Sequence, residues 1–340
     1  MVLSIYLEAK AKGLLPDREY FYNELDPKPK DVTSFWELWE TYLKSKSGIF
    51  KKNSFVKFNS LKTHLEAFEK DNKKSLSLEN ITNELMEDFQ NFLYHKQNLN
   101  TQSTEKYISI FKMFLNWCLK RKYTTNADFK NFTAIRQPDS LKVIMTDDDI
   151  ELLIKVDLGE KNYLKNVRSL FLLACDTGLR YGDFSRISKQ HLKHNQDGYT
   201  LELRQNKTED FVYIPLTDEA LKTVRDMIEG KLHAITNQRM NLYVKELCKL
   251  AEINEPFEVH QYKGREKRII TVPKYELITT HCGRRTFATR LLENGVPAEI
   301  VMNFTGHKDY KSFSKYVNIP KRTEMKIVRQ ALEGNNMRVA

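Results

Sequence analysis

The sequence predicts a mainly α protein of two domains, with a small antiparallel β-hairpin in the second. Three observations carry this. Apolar residues recur at spacings of three and four through 31–136. One stretch, YTLELRQNKTEDFVYIPL at 199–216, alternates apolar and polar residues on both sides of a polar turn. A Pro-Asp-Ser break inside RQPDSLKVIMTDDDI separates the two regions, and a chain of 340 residues exceeds one ordinary core.

Residues 1–30 are mixed in character and end on the proline-punctuated DPKPK, so they read as an arm or linker. From Asp31 four amphipathic helices follow. Phe35, Trp36, Leu38, Trp39, Tyr42 and Leu43 mark the first; Phe55, Phe58, Leu61, Leu65 and Phe68 the second. Leu85, Phe89, Phe92 and Leu93 mark the third; Tyr107, Ile110, Phe111, Phe114, Leu115 and Cys118 the fourth. Thr146-x-x-Asp149 then has the form of a capping box and opens a new helix. The hairpin turns at Asn206–Asp210, and VHQYKGREKRIITVP at 259–273 reads as a second, shorter strand pair. THCGRRTFATRLLENG at 280–295 is a helix closed by Gly295. GHKDYKSFSKY at 306–316 reads as one short helix bearing Tyr310 and Tyr316, and the tail 319–334 is helix-like.

Charge narrows the class of partner. Against 45 Asp and Glu stand 55 Lys and Arg, a formal +10, and between Lys44 and Lys74 nine lysines face three acids. Such a surface favours a polyanion, although a solvated helix face is the plain alternative. The four cysteines are far apart with no C-x-x-C pair, as expected for reduced core residues of a cytosolic protein. No apolar run reaches membrane-spanning length and the N-terminus has no secretory pattern, so a cytoplasmic protein with no membrane partner is expected.

Candidate chemistry gathers in the second region. Arg180, in CDTGLRYGDF, follows a Thr-Gly turn with apolar residues on both sides. His281 and Arg284 stand at i and i+3 and share a helix face. Two arginines and a histidine aimed at one point suit a phosphate, because guanidinium groups stay charged and grip phosphoryl oxygens with forked donors. Local alternatives exist for each. Arg180 could pair with Asp176 or Asp183, and His281 could cap its helix. A zinc site from His281, Cys282 and His307 is disfavoured, since adjacent residues on a helix point apart.

Taken in order, TGLRYGDF, RQNKTED, HCGRR and TGHKDYKSFSKYV make the chain resemble the tyrosine recombinases, the phage-integrase family, especially integrases of bacterial mobile elements such as conjugative transposons. The resemblance spans roughly 31–325. It implies a two-domain DNA clamp: a helical, SAM-like core-binding domain at 31–136, a linker at 137–145, a catalytic domain at 146–325 and a tail at 326–340. Residues 1–30 would be an arm, a remnant of an arm-binding domain or a truncated one. The resemblance implies Arg180, Lys207, His281, Arg284, His307 and Tyr316 as catalytic residues, with Tyr316 the nucleophile and Lys207 the acid for the leaving 5′ oxygen. Asp183 would orient Arg180, and Tyr310 would be structural because it lies too close to His307. The implied activity is cleavage and rejoining of double-stranded DNA at specific recombination sites through a 3′-phosphotyrosyl link, integrating or excising a mobile element. A homotetramer on DNA at the nucleoid is expected, needing neither ATP, metal nor other cofactor. Two alternatives are DNA relaxation in the manner of type IB topoisomerases and a DNA-binding regulator that has lost catalysis.

Overall fold

The computed structural model describes residues 2–11, 13, 15–16, 34–138, 142–314, 325 and 329. Tyr316, nearly all of the tail and much of the N-terminal arm therefore lie outside the described residues. The chain begins with helix α1 (Val2–Ala11) and divides into two compact units. One comprises Met1–Pro138 with His260–Arg268; the other comprises Asp139–Val259 with Ile269–Ala340.

The first unit contains α2 (Phe35–Ser45), α3 (Lys52–Asn72), α4 (Asn83–His95) and α5 (Thr101–Lys120). Helix starts are written locally: Ser34 and Glu37 form a reciprocal capping box, Thr82 accepts from the Leu85 amide, and Asn100 accepts from that of Ser103. Each helix turns its apolar stripe inward. Phe35, Trp39 and Tyr42 of α2 meet Phe114 of α5 edge-on, with centroids 5.4, 4.9 and 5.6 Å apart. Such pairs contribute about 0.5–1.5 kcal/mol each beyond the area they bury. After α5, Asn126 Nδ2 donates to the Leu78 and Ile81 carbonyls at 2.8 and 3.0 Å, tying the exit loop to the α3–α4 connection.

The second unit starts with α6 (Asp147–Lys155), whose cap is the Thr146–Asp149 box. Next come α7 (Asn162–Thr177) and the single turn α8 (Tyr181–Phe184). An antiparallel sheet follows in the order β1 (Leu192–Asn195), β2 (Gly198–Arg204), β3 (Phe211–Pro215). Its register pairs Leu201 with Ile214 and Leu203 with Val212, and all four face the core. The expected hairpin is thus present, with one further strand.

Helices α9 (Asp218–Ile228) and α10 (Asn237–Leu250) lead to β4 (Pro256–Lys263) and β5 (Glu266–Pro273). At eight residues a strand this pair is longer than the first hairpin, not shorter. Its turn groups with the first unit, where Thr101 Oγ1 donates to the Gly264 carbonyl at 3.4 Å and Lys263 Nζ to Asn98 Oδ1 at 3.0 Å. The unit closes with α11 (Thr280–Glu293), α12 (Ala298–Thr305) and α13 (Tyr310–Ser314).

Two expectations change here. Residues 306–316 do not form one helix: Gly306 ends α12 in the left-handed conformation at φ 59°, and Asp309 Oδ1 accepts from the Ser312 amide at 2.8 Å to start α13. His307 therefore lies in the junction, off the helix that carries Tyr310. The cap of α11 is Thr279, not His281.

Candidate active site

Close packing of two helices sets the floor of the site. Helix α11 runs against α7 at Gly283, where a Cβ would come within 2.9 Å of Ala174 Cβ and 3.1 Å of the Ala174 carbonyl carbon. Only glycine permits that approach, and it brings Arg284, the next residue, into the core beside the end of α7. Arg284 has no solvent exposure. Its Nη1 donates to the Gly178 carbonyl at 2.8 Å and its Nη2 to the Thr305 carbonyl. One guanidinium thus spans the turn after α7 and the end of α12.

Arg180 sits two residues beyond Gly178, which ends α7 at φ 64°. The arginine has an extended backbone and occupies the N-cap position of α8, without capping it through its side chain. Its Nη1 donates to Gln205 Oε1. Neither acid considered as its partner hydrogen-bonds it. Asp176 pairs with Arg290 at 3.9 Å, and Asp183 accepts from Arg186 Nη2 at 3.2 Å and from the Asn206 amide at 2.8 Å. Asp183 acts on Arg180 through its charge alone, favouring the protonated guanidinium against the effect of burial. The hydrogen bond from its guanidinium goes to Gln205 instead.

Lys207 stands exposed in the β2–β3 turn, which the Gln205 amide closes on the Asp210 carbonyl at 2.8 Å. His307 follows Gly306, and its Nδ1 meets Thr305 Oγ1 at 2.7 Å while its ring lies edge-on to Phe313 at 5.4 Å. Cys282 is buried with its sulfur accepting from the Thr279 amide at 3.4 Å, so the thiol serves the helix start. Among the described residues no group of three His, Cys, Asp or Glu could hold a metal ion.

Electrostatics tie these residues into one place. Burial first, then Arg285, Arg284, Arg180 and Lys207, push His281 down to about 3. Burial, Arg284, Arg180 and Lys207 push His307 down to about 4, with Asp309 opposing. Arg284 falls to about 9 through burial and the Arg180 charge. Arg180, Lys207, His281, Arg284 and His307 thus share one positive field, and both histidines are neutral at pH 7. Tyr310 is 64% exposed, its ring 6.2 Å from that of Phe313. Tyr316 lies outside the described residues.

Gln205, Thr305 and Arg285 escape sequence reasoning. For Gln205 a signal existed: it occupies the next inward position after Leu201 and Leu203, where an uncharged amide is out of place unless it has partners.

Residues 144–322, more than half of the sequence, match the phage integrase family, and residues 34–134 match the phage integrase SAM-like domain. The tyrosine recombinase XerD of Oceanobacillus iheyensis is 24% identical over 264 residues, covering 76% of this chain and 85% of that protein. A lambda integrase dimer bound to a COC′ core site shares the fold at TM-score 0.65 and 17% identity, over 85% of this chain and 97% of that one. The Tn1549 transposon integrase in complex with a circular intermediate DNA does so at TM-score 0.63 and 16% identity, over 87% of this chain and all of the other. With an arginine-lined cationic site on a matching fold, the chain belongs to the phage integrase family and is a site-specific tyrosine recombinase.

Proposed function

We propose that the chain cuts and rejoins double-stranded DNA at specific sites through a 3′-phosphotyrosyl intermediate, integrating and excising a mobile element. The observation that carries this reading is the gathering of two guanidinium groups at one point: Gln205 accepts from Arg180 and donates to the Thr305 carbonyl, which also accepts from the buried Arg284. Cations held together in a partly dry site repel one another, and an anion placed among them relieves that repulsion. A phosphodiester that gains negative charge in its transition state fits such a site better than a neutral ligand does.

In this reading the Tyr316 oxygen attacks phosphorus, the new tyrosyl–phosphorus bond forms, and the bond to the 5′ oxygen breaks. Arg180 and Arg284 neutralise the pentacoordinate phosphorus, the work a metal ion performs elsewhere. Lys207, in an exposed turn, delivers a proton to the departing 5′ oxygen. His281, neutral at pH 7, takes the phenol proton as the phosphorus bond forms, and His307 holds a phosphoryl oxygen. One phosphoester is exchanged for another, so the 5′ hydroxyl of a different strand reverses the step without a further energy source. Integrases bound to a core site and to a circular intermediate, each sharing this fold, support DNA as the partner. Four protomers on two sites is the working assembly under this proposal.

A synthetic Holliday junction carrying the element's ends tests the reading. Recombinant strands are the expected product. Relaxation of supercoiled DNA without strand exchange would favour the topoisomerase-like alternative, and DNA binding with neither reaction would favour the silent regulator.

A further inference from the structure

Gln205 is 1% exposed, yet it is polar and lies within the core of the second unit. Its amide is used on both sides. Oε1 accepts from Arg180 Nη1 and, at 3.0 Å, from Thr208 Oγ1. Nε2 donates to the Thr305 carbonyl at 3.4 Å, the carbonyl that also accepts from Arg284. The hairpin turn does not need this side chain to close, because the backbones of Gln205, Glu209 and Asp210 do so at 2.8 and 2.9 Å. Gly306 leaves the space the amide occupies: a Cβ there would lie 2.6 Å from Gln205 Oε1.

We propose that Gln205 is a positioning residue for DNA cleavage, its amide holding the Arg180 guanidinium in register with Arg284 and with the turn that carries Lys207. Without the amide, Arg180 has a flexible side chain and no fixed acceptor on that side, while the Thr305 carbonyl keeps Arg284. A guanidinium displaced by about 1 Å from a phosphoryl oxygen costs rate rather than binding, since most of the affinity for DNA comes from phosphates outside the site. The proposal rests on the reading of Arg180 as a phosphate-binding arginine.

The test uses the full chain and a nicked suicide substrate built on its own recombination site, with either the natural phosphodiester or a neutral methylphosphonate at the cleaved position. Covalent adduct is followed at saturating enzyme for wild type, Gln205→Met, Gln205→Asn and Arg180→Ala. On the phosphodiester, Gln205→Met is expected to slow adduct formation roughly 10- to 100-fold with DNA affinity within about twofold of wild type. On the methylphosphonate, which lacks the charge a guanidinium neutralises, the deficits of Arg180→Ala and of Gln205→Met should both shrink to about threefold or less. Gln205→Asn keeps an amide that is one methylene too short to span its partners, and it should behave as Gln205→Met does; it serves in its place if the methionine variant does not fold. An undiminished rate on the phosphodiester overturns the proposal. So does a deficit that persists on the methylphosphonate while that of Arg180→Ala disappears, which would mark Gln205 as structural. Failure of Arg180→Ala to recover on the methylphosphonate instead overturns the reading of Arg180.

Discussion

Arg284 Nη1 donates to the Gly178 carbonyl at 2.8 Å, fixing a fully buried guanidinium of α11 against the turn that presents Arg180. The same group reaches the Thr305 carbonyl two residues before His307. Three segments distant in sequence are therefore aligned by one planar fork. Arg284→Lys retains a charge but cannot serve both carbonyls in that geometry. Cleavage of a suicide substrate should fall by about 10²- to 10³-fold, as for loss of a preorganised oxyanion donor. A rate within about threefold of wild type would remove Arg284 from the chemistry.

Lys274 and Asp149 form a buried ion pair at 2.7 Å, their side chains 6% and 10% exposed. Asp149 Oδ2 also accepts from the Thr146 amide at 2.7 Å, so the pair secures the cap of α6 against the segment before α11. Lys274→Met leaves a carboxylate buried without its cation and should cost about 3–5 kcal/mol in urea unfolding. The exposed pair Lys62–Glu40, also at 2.7 Å, should yield less than about 1 kcal/mol on Lys62→Met. Equal losses at the two sites would contradict the role assigned to burial.

Acid should destabilise this fold through its site histidines. His281 and His307 are held near 3 and 4 by burial and neighbouring cations, whereas in the unfolded chain they titrate near the ordinary 6.5. As pH falls below about 6.5 the unfolded state takes up protons that the folded state refuses, so stability declines down to about pH 4. His307→Asn removes its share of that decline. Thermal melting of the two proteins from pH 7 to 5 should show the wild type losing more, and parallel curves would contradict it.

Much of this was legible in sequence, for identifiable reasons. The four helices of the first unit declare themselves because each has one apolar face and each must bury it, as Phe35, Phe58, Phe89 and Phe111 do. The Thr146–Asp149 box and the alternation through Leu201, Leu203, Val212 and Ile214 are equally local signals. The ordered motifs pointed to the family for the same reason. What stayed hidden depends on contacts between distant segments. Nothing near Asp183 says that Arg186 and the Asn206 amide will occupy its carboxylate, or that Gln205 will take Arg180 instead. The break at Gly306 was missed because the periodicity of 306–316 suits a helix, while the left-handed φ of one glycine overrides it.

The central claim is that Tyr316 is the nucleophile, and covalent trapping tests it most directly. Wild type, Tyr316→Phe and Tyr310→Phe are incubated with the nicked suicide substrate, and protein–DNA adducts that survive denaturation are counted. Adduct from the wild type and from Tyr310→Phe, with none from Tyr316→Phe, is the predicted result. Undiminished adduct from Tyr316→Phe would contradict the account.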